Sequence, residues 1–384
     1  MTVALQTMAG LYIHIPFCAQ ACHYCDFHFS TNQRTRTEIV RAICLEIGLQ
    51  RGYLQEDLIH TIYFGGGTPS LLTEQELACI FDAIHRHFTV LPTAEITLEA
   101  NPDDLTTEKL SLLKRTGINR LSIGIQSFDD TVLKFLNRIH NSRSAEKCID
   151  DARQAGFANI SIDLMYAVNG QDNVLWEKSI RKAISLDPEH ISSYSLTIEN
   201  KTVFGKWSSS GKLNRVSDDV SATQLEMLMA ELEGAGYDQY EVSNFGKPEF
   251  YSLHNSSYWK QEKYLGIGPS AHSYNGISRQ FNISNNNTYL NAIKTGKIPF
   301  ELEVLTREDK INEYLLTTLR TRWGSDLAKI NDEFGYDILQ EQSVYLKSLI
   351  DKNLGAFDGT ILKLTKAGKL LADMISSDLF VLKK

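Results

Sequence analysis

Short runs of apolar residues alternate, over about the first 200 positions, with longer segments in which apolar residues recur every three or four positions. The short runs predict β-strands, and the longer amphipathic segments predict α-helices. Six strands are predicted, at residues 11–16, 61–64, 95–100, 120–126, 159–168 and 190–198. Five helices are predicted between them, at residues 34–51, 73–88, 106–116, 144–155 and 174–186.

Six strand–helix units in succession imply parallel strands that are joined by right-handed crossovers. This pattern fits two α/β architectures, an open doubly wound sheet and a full or partial barrel, and periodicity alone does not choose between them. In both architectures, the side chains that act on a ligand gather at the carboxyl ends of the strands. The sequence therefore directs the search for a site to the residues that end each predicted strand.

The pattern changes after residue 198. An amphipathic helix is predicted at residues 217–233, and it is followed by a region rich in Tyr, Asn and Ser at residues 237–289. Further helices are predicted at residues 307–323, 327–334, 336–351 and 365–375, with a hairpin at 355–364 that turns at Asp358 and Gly359. Helices that are followed by a small hairpin indicate a winged-helix-like domain with a structural role. The predicted domains are residues 1–235, 236–300 and 301–384.

Composition and charge narrow the class of protein. The chain has 384 residues, of which 42% are hydrophobic, and its formal net charge is −8. No segment approaches the roughly 18 consecutive apolar residues of a membrane helix, and the negative charge disfavours a nucleic-acid partner. The first ten residues lack a basic region followed by an apolar core, so we expect no secretory signal and a cytoplasmic location.

Three cysteines stand in the segment "HIPFCAQACHYCDFHF", directly after the first predicted strand. Cys18, Cys22 and Cys25 have the spacing C-x3-C-x2-C. In a reducing compartment, clustered cysteines more often bind metal or carry out chemistry than form disulfides. The other three cysteines fall in helical patterns, where they are predicted to be small buried residues; these are Cys44, Cys79 and Cys148.

Four explanations compete for the three clustered thiols. A disulfide is disfavoured by the compartment, and a thioredoxin-like pair of Cys22 and Cys25 leaves Cys18 unexplained. A structural zinc site needs four ligands, and the nearby histidines are candidates to complete it; they are His14, His23 and His28. A [4Fe–4S] cluster usually takes one cysteine for each iron, so three ligands leave one iron open for a small molecule with an amine and a carboxylate.

Polar residues interrupt apolar runs near the carboxyl ends of the later strands. Glu99 stands in "TLEANP", Gln126 in "SIGIQSF" and Asp163 in "SIDLMY", while "YFGGGTPS" ends the second strand. A single carboxylate in a strand usually has a structural role, but three polar residues at equivalent positions of one sheet favour a ligand site. Three consecutive glycines allow the backbone to approach such a ligand closely.

The cysteine spacing, with an aromatic residue before the last cysteine, resembles the radical S-adenosylmethionine (SAM) superfamily. That resemblance implies a [4Fe–4S] cluster held by Cys18, Cys22 and Cys25, with SAM bound at the open iron and reductively cleaved to a 5′-deoxyadenosyl radical. It also implies that the glycine segment holds the amino group of SAM and that Arg138 pairs with its carboxylate. The SAM-binding residues implied by the resemblance are Tyr12, Tyr24, Gly66, Gly67, Thr68, Glu99, Gln126, Arg138, Asp163 and Thr197.

A narrower resemblance covers about residues 10–375. The segments "LYIHIPFC", "IYFGGGTPS", "EANPDDL", "RLSIGIQSF", "YEVSNF" and "HNSSYW" are similar to the branch around oxygen-independent coproporphyrinogen III oxidase. The implied fold is a partial (β/α)6 barrel, the first predicted domain, with a C-terminal helical domain. Two departures, Phe27 in place of a further cysteine and a short amino-terminal segment, resemble instead the HemW-type haem chaperones of the same family.

The segment "HNSSYW" matches a motif of those chaperones, HNxxYW, and places a haem site in the second predicted domain. A neutral imidazole is a common axial ligand of haem iron, and aromatic rings pack on a porphyrin face. The implied haem-binding residues are therefore His254, Asn255, Tyr258 and Trp259. A structural histidine at a turn with core aromatics is the alternative that the six residues alone favour.

Two functions are carried forward from the sequence. The first is a haem chaperone, which binds haem and passes it to an acceptor such as a membrane-associated respiratory cytochrome, with the cluster and SAM serving structure, dimerisation or regulated transfer. The second is a radical SAM oxidase that acts on a porphyrinogen. The residues for SAM cleavage are present, yet we expect no coproporphyrinogen oxidase activity. A homodimer is a further expectation from the resemblance.

Overall fold

Six parallel strands stand side by side in chain order in the computed structural model, which describes residues 8–55 and 58–382. They are β1 Ala9–Ile15, β2 Leu58–Gly66, β3 Thr89–Ala100, β4 Arg120–Gln126, β5 Ile160–Tyr166 and β6 His190–Ser195. The predicted outer ends of the first and last domains lie outside the described residues. So does most of the amino-terminal stretch from which a cytoplasmic location was predicted.

The helices that follow these strands cover the sheet, and those predicted from periodicity are confirmed in kind and position. The helices of this half are α1 Arg36–Leu49, α2 Glu74–His87, α3 Thr107–Arg115, α4 Asp130–Phe135, α5 Ser142–Gln154, α6 Asn173–Ser185, α7 Val203–Ser209 and α8 Asp218–Gly234. Two 3-10 turns, Pro69–Leu71 and Pro102–Asp104, follow β2 and β3. The short α4 and α7 were not predicted.

Six further strands extend the sheet at both edges. They are β7 Asp238–Glu241, β8 Asn244–Gly246, β9 Lys263–Ile267, β10 His272–Tyr274, β11 Ser278–Asn282 and β12 Phe300–Val304. Strand β9 pairs in parallel with the free edge of β1, and β8 pairs antiparallel with the free edge of β6. The aromatic and polar region at residues 237–289 therefore supplies strands at both edges of the sheet, and the sequence pattern did not predict these strands.

The strand order decides between the two architectures that periodicity left open. Strands β1 to β6 follow one another without the reversal of order that defines a doubly wound sheet. Because β9 pairs with the outer edge of β1 and β8 pairs with the outer edge of β6, these two strands do not pair with each other and the six parallel strands do not close on themselves. The predicted α/β fold with a partial (β/α)6 barrel is confirmed.

The C-terminal part has its own small apolar core and a three-stranded sheet, and two helices, α9 Leu253–Trp259 and α10 Asn286–Lys294, lie before it. Its elements are α11 Arg307–Leu319, β13 Ser325–Asp326, α12 Leu327–Phe334, α13 Ile338–Glu341, α14 Ser343–Asp351, β14 Gly355–Phe357, β15 Ile361–Leu364, α15 Lys366–Lys369 and α16 Ala372–Asp378. Helices with the hairpin β14–β15 confirm the predicted C-terminal helical region.

Several predicted boundaries were wrong, each for a local reason. Strand β6 ends at Ser195 rather than at residue 198, because its partner β5 ends at Tyr166 and β8 pairs only as far as Ser192. The helix predicted at 336–351 is two helices that are separated at Gln342. The helix predicted at 365–375 breaks after Lys369, and a new helix starts at Ala372.

The isolated cysteines differ from one another in burial. Cys148 is buried, as predicted. Cys44 and Cys79 are only half-buried, and their Sγ atoms lie 2.9 Å apart where α1 packs against α2. The prediction of buried apolar residues was therefore wrong for these two thiols. No helix within the described residues is long and apolar enough to cross a membrane.

Candidate functional site

The loop between β1 and α1 presents the three clustered cysteines at the carboxyl end of the sheet. Its two ends are held together because Phe17 and Ser30 form a β-bridge and the Cys18 amide donates to the Ser30 carbonyl at 3.1 Å. Each of two thiols receives a donor from a different strand unit. The Thr68 hydroxyl donates to Cys18 Sγ at 3.4 Å, and Arg138 Nη1 donates to Cys22 Sγ at 3.3 Å.

Burial shapes the chemistry of these thiols. It raises the pKa of Cys18 to about 11, although the hydrogen bond from Thr68 works against it, and it raises the pKa of Cys25 to about 12. Thiolates at these positions therefore require a positively charged partner, which an iron centre supplies. Within the described ranges, no three His, Cys, Asp or Glu side chains are placed to hold a single metal ion, so no preformed zinc site is present there.

The glycine segment at the end of β2 packs so closely against β1 and the cysteine loop that a side chain there would collide with them. A Cβ on Gly67 would lie 2.6 Å from the Phe17 carbonyl oxygen, and one on Gly66 would lie 2.6 Å from the ring of His14. Gly66 also has φ of +105°, a conformation that favours glycine. These two positions let the cysteine loop pack directly on the end of β2, where the Gly67 amide donates to the Ile15 carbonyl at 2.9 Å.

Two carboxyl groups face the same space from neighbouring strands. Glu99 on β3 accepts hydrogen bonds from the Tyr63 hydroxyl at 2.8 Å and from the Gly66 amide at 3.2 Å. Burial raises its pKa to about 7, which exceeds the lowering by these two donors. On β5, burial raises the pKa of Asp163 to about 6, while Arg120 and the Ser192 hydroxyl oppose the rise.

Arg138 connects the cysteine loop to β4. Beyond its contact with Cys22, its Nη2 donates to Asn101 Oδ1 at 2.6 Å and to the Gly124 carbonyl at 2.8 Å. A Cβ on Gly124 would lie 3.4 Å from this guanidinium and 3.0 Å from the amide of Gln126. The buried Nε of Arg138 has no hydrogen-bond partner within the described residues. A buried cation with an unused donor is chemically suited to an anionic ligand group.

A cavity of about 560 Å³, here called the cysteine cavity, brings these groups together. The predicted residues that line it are Cys18, Cys22, Cys25, Tyr24, Gly66, Gly67, Thr68, Glu99, Gln126, Arg138, Asp163 and Thr197. Thr197 does so from the loop beyond β6, not from the strand end where it was predicted. The volume falls in the usual range of ligand pockets, roughly 300–1,000 Å³.

Other residues of this cavity were missed in the sequence. Tyr63, Asn101, Ser122, Ser192 and Tyr194 also line it. Each lies on or directly after one of the parallel strands, so the rule that ligand groups gather at strand ends was the signal available for them. Hydroxyl and amide side chains are common in strand ends for structural reasons, which hides them in a single sequence.

A second cavity of about 520 Å³ adjoins the first, and it is here called the tyrosine cavity. Tyr12, which was predicted to contact SAM, lines this second cavity and stacks on Tyr63 with ring centres 6.1 Å apart. Asp26 and Phe27 line both cavities and so form the wall between them. Phe27 is 72% exposed, which is unusual for a phenylalanine and leaves its ring available to a ligand on either side.

The segment "HNSSYW" is the short helix α9, and its predicted haem residues are divided between three environments. Tyr258 and Trp259 line the tyrosine cavity, and Asn255 lines the cysteine cavity. His254 lines neither and is only 1% exposed. The motif therefore lies between the two cavities and contributes side chains to both.

Helix α9 is held at its start by a buried carboxylate from β3. Glu95 accepts hydrogen bonds from the Leu253 and His254 amides, each at 2.9 Å, and Ser252 caps the Asn255 amide. The buried guanidinium of Arg120 lies 4.0 Å from Glu95. A negative charge at a helix amino terminus is favourable because it meets the unpaired amides and the positive end of the helix dipole.

Comparisons with known proteins identify related families and chains. A family model described as the radical SAM superfamily matches residues 12–183, and one described as the HemN C-terminal domain matches residues 305–371. The chain is 36% identical over 373 residues to the heme chaperone HemW of Bacillus subtilis, and the match covers 96% of this chain and 98% of that protein.

Further relatives give the same picture over nearly the full length. The heme chaperone HemW of Lactococcus lactis is 35% identical over 366 residues, with 95% of both chains covered. That of Mycobacterium tuberculosis strain H37Rv is 33% identical over 371 residues, which cover 95% of this chain and 93% of that protein.

Among solved structures, coproporphyrinogen III oxidase (HemN) from Escherichia coli, a radical SAM enzyme, has a similar fold. The TM-score is 0.84 at 22% identity, with 98% of this chain and 90% of that chain covered. At this identity the similarity is one of fold.

Proposed function

Because the chain belongs to the HemW family of the radical SAM superfamily, we propose that it is a haem chaperone, which binds haem and passes it to an acceptor protein. The near-full-length similarity to proteins named heme chaperone HemW carries this proposal. The tyrosine cavity supports it, because an aromatic cavity beside the exposed Phe27 suits a flat, apolar macrocycle. We place haem in this cavity, with Tyr258 and Trp259 of the HNxxYW segment in its wall.

Membership of the radical SAM superfamily implies a [4Fe–4S] cluster and SAM, and the cysteine cavity has groups that fit both. We propose Cys18, Cys22 and Cys25 as the cluster ligands, since three half-buried thiols converge on one cavity. The other predicted residues of that cavity would hold SAM: Arg138 offers a cation with an unused donor, and Glu99 offers a carboxylate. When bound, the cluster supplies one-electron chemistry toward the sulfonium of SAM.

In the chaperone, these residues act by binding and by excluding water. The glycine segment keeps the cysteine loop packed on β2, and Arg138 ties that loop to β4. The wall at Asp26 and Phe27 then has a defined position beside the haem cavity. A ligand in one cavity therefore fixes the position of Asp26 and Phe27, which also line the other cavity. In this way the cluster and SAM would regulate haem binding.

The location and the partners follow from the same proposal. A cytoplasmic protein that hands over haem needs an acceptor, and we propose a membrane-associated respiratory cytochrome. We also propose a homodimer as the functional form. Nucleic acid has no part in this function, because the net charge of −8 provides no general attraction to phosphate.

A haem transfer assay tests this function. Protein with a reconstituted cluster is titrated anaerobically with haem, the Soret band is followed, and an apo-cytochrome in detergent is then added. We expect saturable one-to-one binding and transfer to the cytochrome that differs in rate from that of free haem. The absence of specific haem binding in the cluster-loaded protein would contradict the proposal.

One observation favours the oxidase as a second candidate. The cysteine cavity combines three thiols, a buried cation and two carboxyl groups. These are the groups with which members of this superfamily bind and cleave SAM. Incubation with coproporphyrinogen III under anaerobic, reducing conditions separates the two functions. Formation of protoporphyrinogen beyond one equivalent would establish an oxidase, whereas we expect none.

A further inference from the structure

Both ring nitrogens of His254, the histidine of the HNxxYW segment, make hydrogen bonds. His254 Nδ1 lies 2.7 Å from the Thr61 hydroxyl, and Nε2 lies 2.8 Å from the Tyr258 hydroxyl. One face of the ring stacks on Tyr63 with ring centres 5.0 Å apart. Coordination of iron by this ring would break one of two buried hydrogen bonds and expose a side chain that is 1% accessible.

The tyrosine cavity has a floor made by one face of strands β9 to β11. Side chains alternate between the two faces of a strand, and residues paired across strands share a face. Tyr274 pairs with Tyr264 and with Arg279, and His272, two residues before Tyr274, pairs with Phe281. The register therefore places Tyr264, Tyr274, Arg279 and His272 on the same face, and all four line the cavity.

Three imidazoles line this cavity, and they differ in what their nitrogens contact. His14 has both in hydrogen bonds, to the Tyr12 hydroxyl at 3.2 Å and to the His28 carbonyl at 2.9 Å. His28 Nε2 is bonded to Asn286 Oδ1 at 2.7 Å. Within the part of the chain that the structure describes, the ring nitrogens of the exposed His272 make no hydrogen bond, and the ring meets only Phe281 edge-on.

A ring without hydrogen bonds to the protein can turn a nitrogen toward a ligand at no cost in protein contacts, and imidazole binds iron through such a nitrogen.

On the basis of the proposed function, we propose that His272 is the protein ligand to the iron of haem in the tyrosine cavity, and that His254 is a positioning residue. His254 fixes the Tyr258 hydroxyl and so keeps that ring in the cavity wall, where it also meets Tyr264 edge-on with ring centres 4.5 Å apart. Arg279 pairs with Glu313 of the same cavity at 2.9 Å, but its buried Nε has no hydrogen-bond partner within the described residues and is the donor left for a propionate at the floor.

Haem titration of matched variants tests this assignment. In cluster-loaded His272→Ala we expect loss of the histidine-ligated Soret and electron paramagnetic resonance signatures. We also expect haem affinity to fall by roughly tenfold or more, since even outer-shell partners of metal ligands are worth about 10–100-fold. Free imidazole should restore the wild-type spectrum of His272→Ala, a rescue that a merely structural role would not give.

An iron-free porphyrin separates ligation from occupancy of the cavity. Protoporphyrin IX has no iron to coordinate, so its affinity, followed by its fluorescence, should be the same in His272→Ala and in the wild type. His254→Ala should keep the spectrum of a histidine-ligated haem while its stability falls. His85→Ala, which removes an exposed imidazole from α2, is the matched control and should behave as the wild type.

The outcomes distinguish this inference from the proposed function. If the wild type binds no haem, the chaperone proposal fails. If the wild type binds haem and His272→Ala gives the same spectrum and affinity, the chaperone proposal stands and the ligand assignment is overturned. Loss of the histidine signature in His254→Ala or in His28→Ala, with His272→Ala unchanged, would overturn it as well. His272→Gln repeats each measurement with a side chain of similar length, in case the alanine variant does not fold.

Discussion

Two carboxyl groups of the cysteine cavity are partly removed from water. Glu99 and Asp163 are both partly buried, and desolvation raises the pKa of each, to about 7 and about 6. An ionised carboxylate in such a place costs free energy unless donors or cations surround it. Tyr63 and the Gly66 amide offset only part of this cost at Glu99. A ligand that presents donors to these carboxyl groups would offset the rest of this cost.

This leads to a prediction of how stability depends on pH. The folded protein holds the Glu99 proton to about pH 7, whereas the unfolded chain releases it near 4.5, so stability is lost as the pH rises between these values. In protein without cluster, Glu99→Gln should remove about 2 kcal/mol of the fall in unfolding free energy between pH 5 and pH 8. Urea unfolding at both pH values measures it, and an equal fall in variant and wild type would contradict it.

At the scale of one element, α9 shows how a short helix can be held rigidly. It has seven residues, and a helix of this length is not stable alone. Its start is fixed by the carboxylate of Glu95, which lies on β3 more than 150 residues earlier in the chain. Tyr258 and Trp259 lie on the last turn of this helix, so the buried anchor at its start helps to set their place in the cavity wall. The position of the HNxxYW segment is therefore set by the central sheet.

We predict that Glu95→Ala destabilises the protein by about 3 kcal/mol or more, since it leaves the buried Arg120 charge and two helix amides without their partner. Chemical unfolding followed by circular dichroism measures the change. Glu74→Ala is the control: it breaks an ion pair with Arg115 in which both side chains are more than half exposed, and should cost less than about 1 kcal/mol. A loss of similar size in both variants would refute the anchor role of Glu95.

At the scale of the whole molecule, the two cavities are neighbours with a common wall. Asp26 and Phe27 line both, and they directly follow Cys25 in the chain. Ligands on either side therefore contact the same loop, and each would reduce the freedom of that loop for the other. When both ligands favour the same ordered state of a shared segment, they bind with positive coupling, and thermodynamics requires that coupling to be reciprocal.

We predict that SAM tightens haem binding to the cluster-loaded protein by about fivefold or more, and that haem tightens SAM binding by the same factor. Soret titrations with and without SAM give one side of the cycle, and calorimetry of SAM binding with and without haem gives the other. Phe27→Ala should reduce both factors together. Haem affinity that is indifferent to SAM would show that the shared wall does not connect the sites.

Most of the regular structure was predictable because it depends on residues that are close together along the chain. The six parallel strands and the helices between them follow from the period of their apolar positions, and their errors are confined to ends, as at Ser195. The three cysteines were found by their close spacing, and the carboxyl groups Glu99 and Asp163 were found because polar residues at strand ends stand out against apolar runs. Short elements such as α4 and α7 carry too few residues for any period to show.

The amino-acid sequence by itself determined the α/β class, the succession of strand–helix units, the cysteine spacing and the family. Only the tertiary structure decided the open strand order, the pairing of β9 with β1, and the separation of His254 from the cavity that Tyr258 and Trp259 line. It also brought His272 onto the floor of that cavity, although nothing around His272 in the sequence marks it. The physical reason is that periodicity and capping act between residues close along the chain, whereas a cavity is made by side chains from distant segments. Their meeting depends on sheet register and buried anchors, which no local pattern encodes.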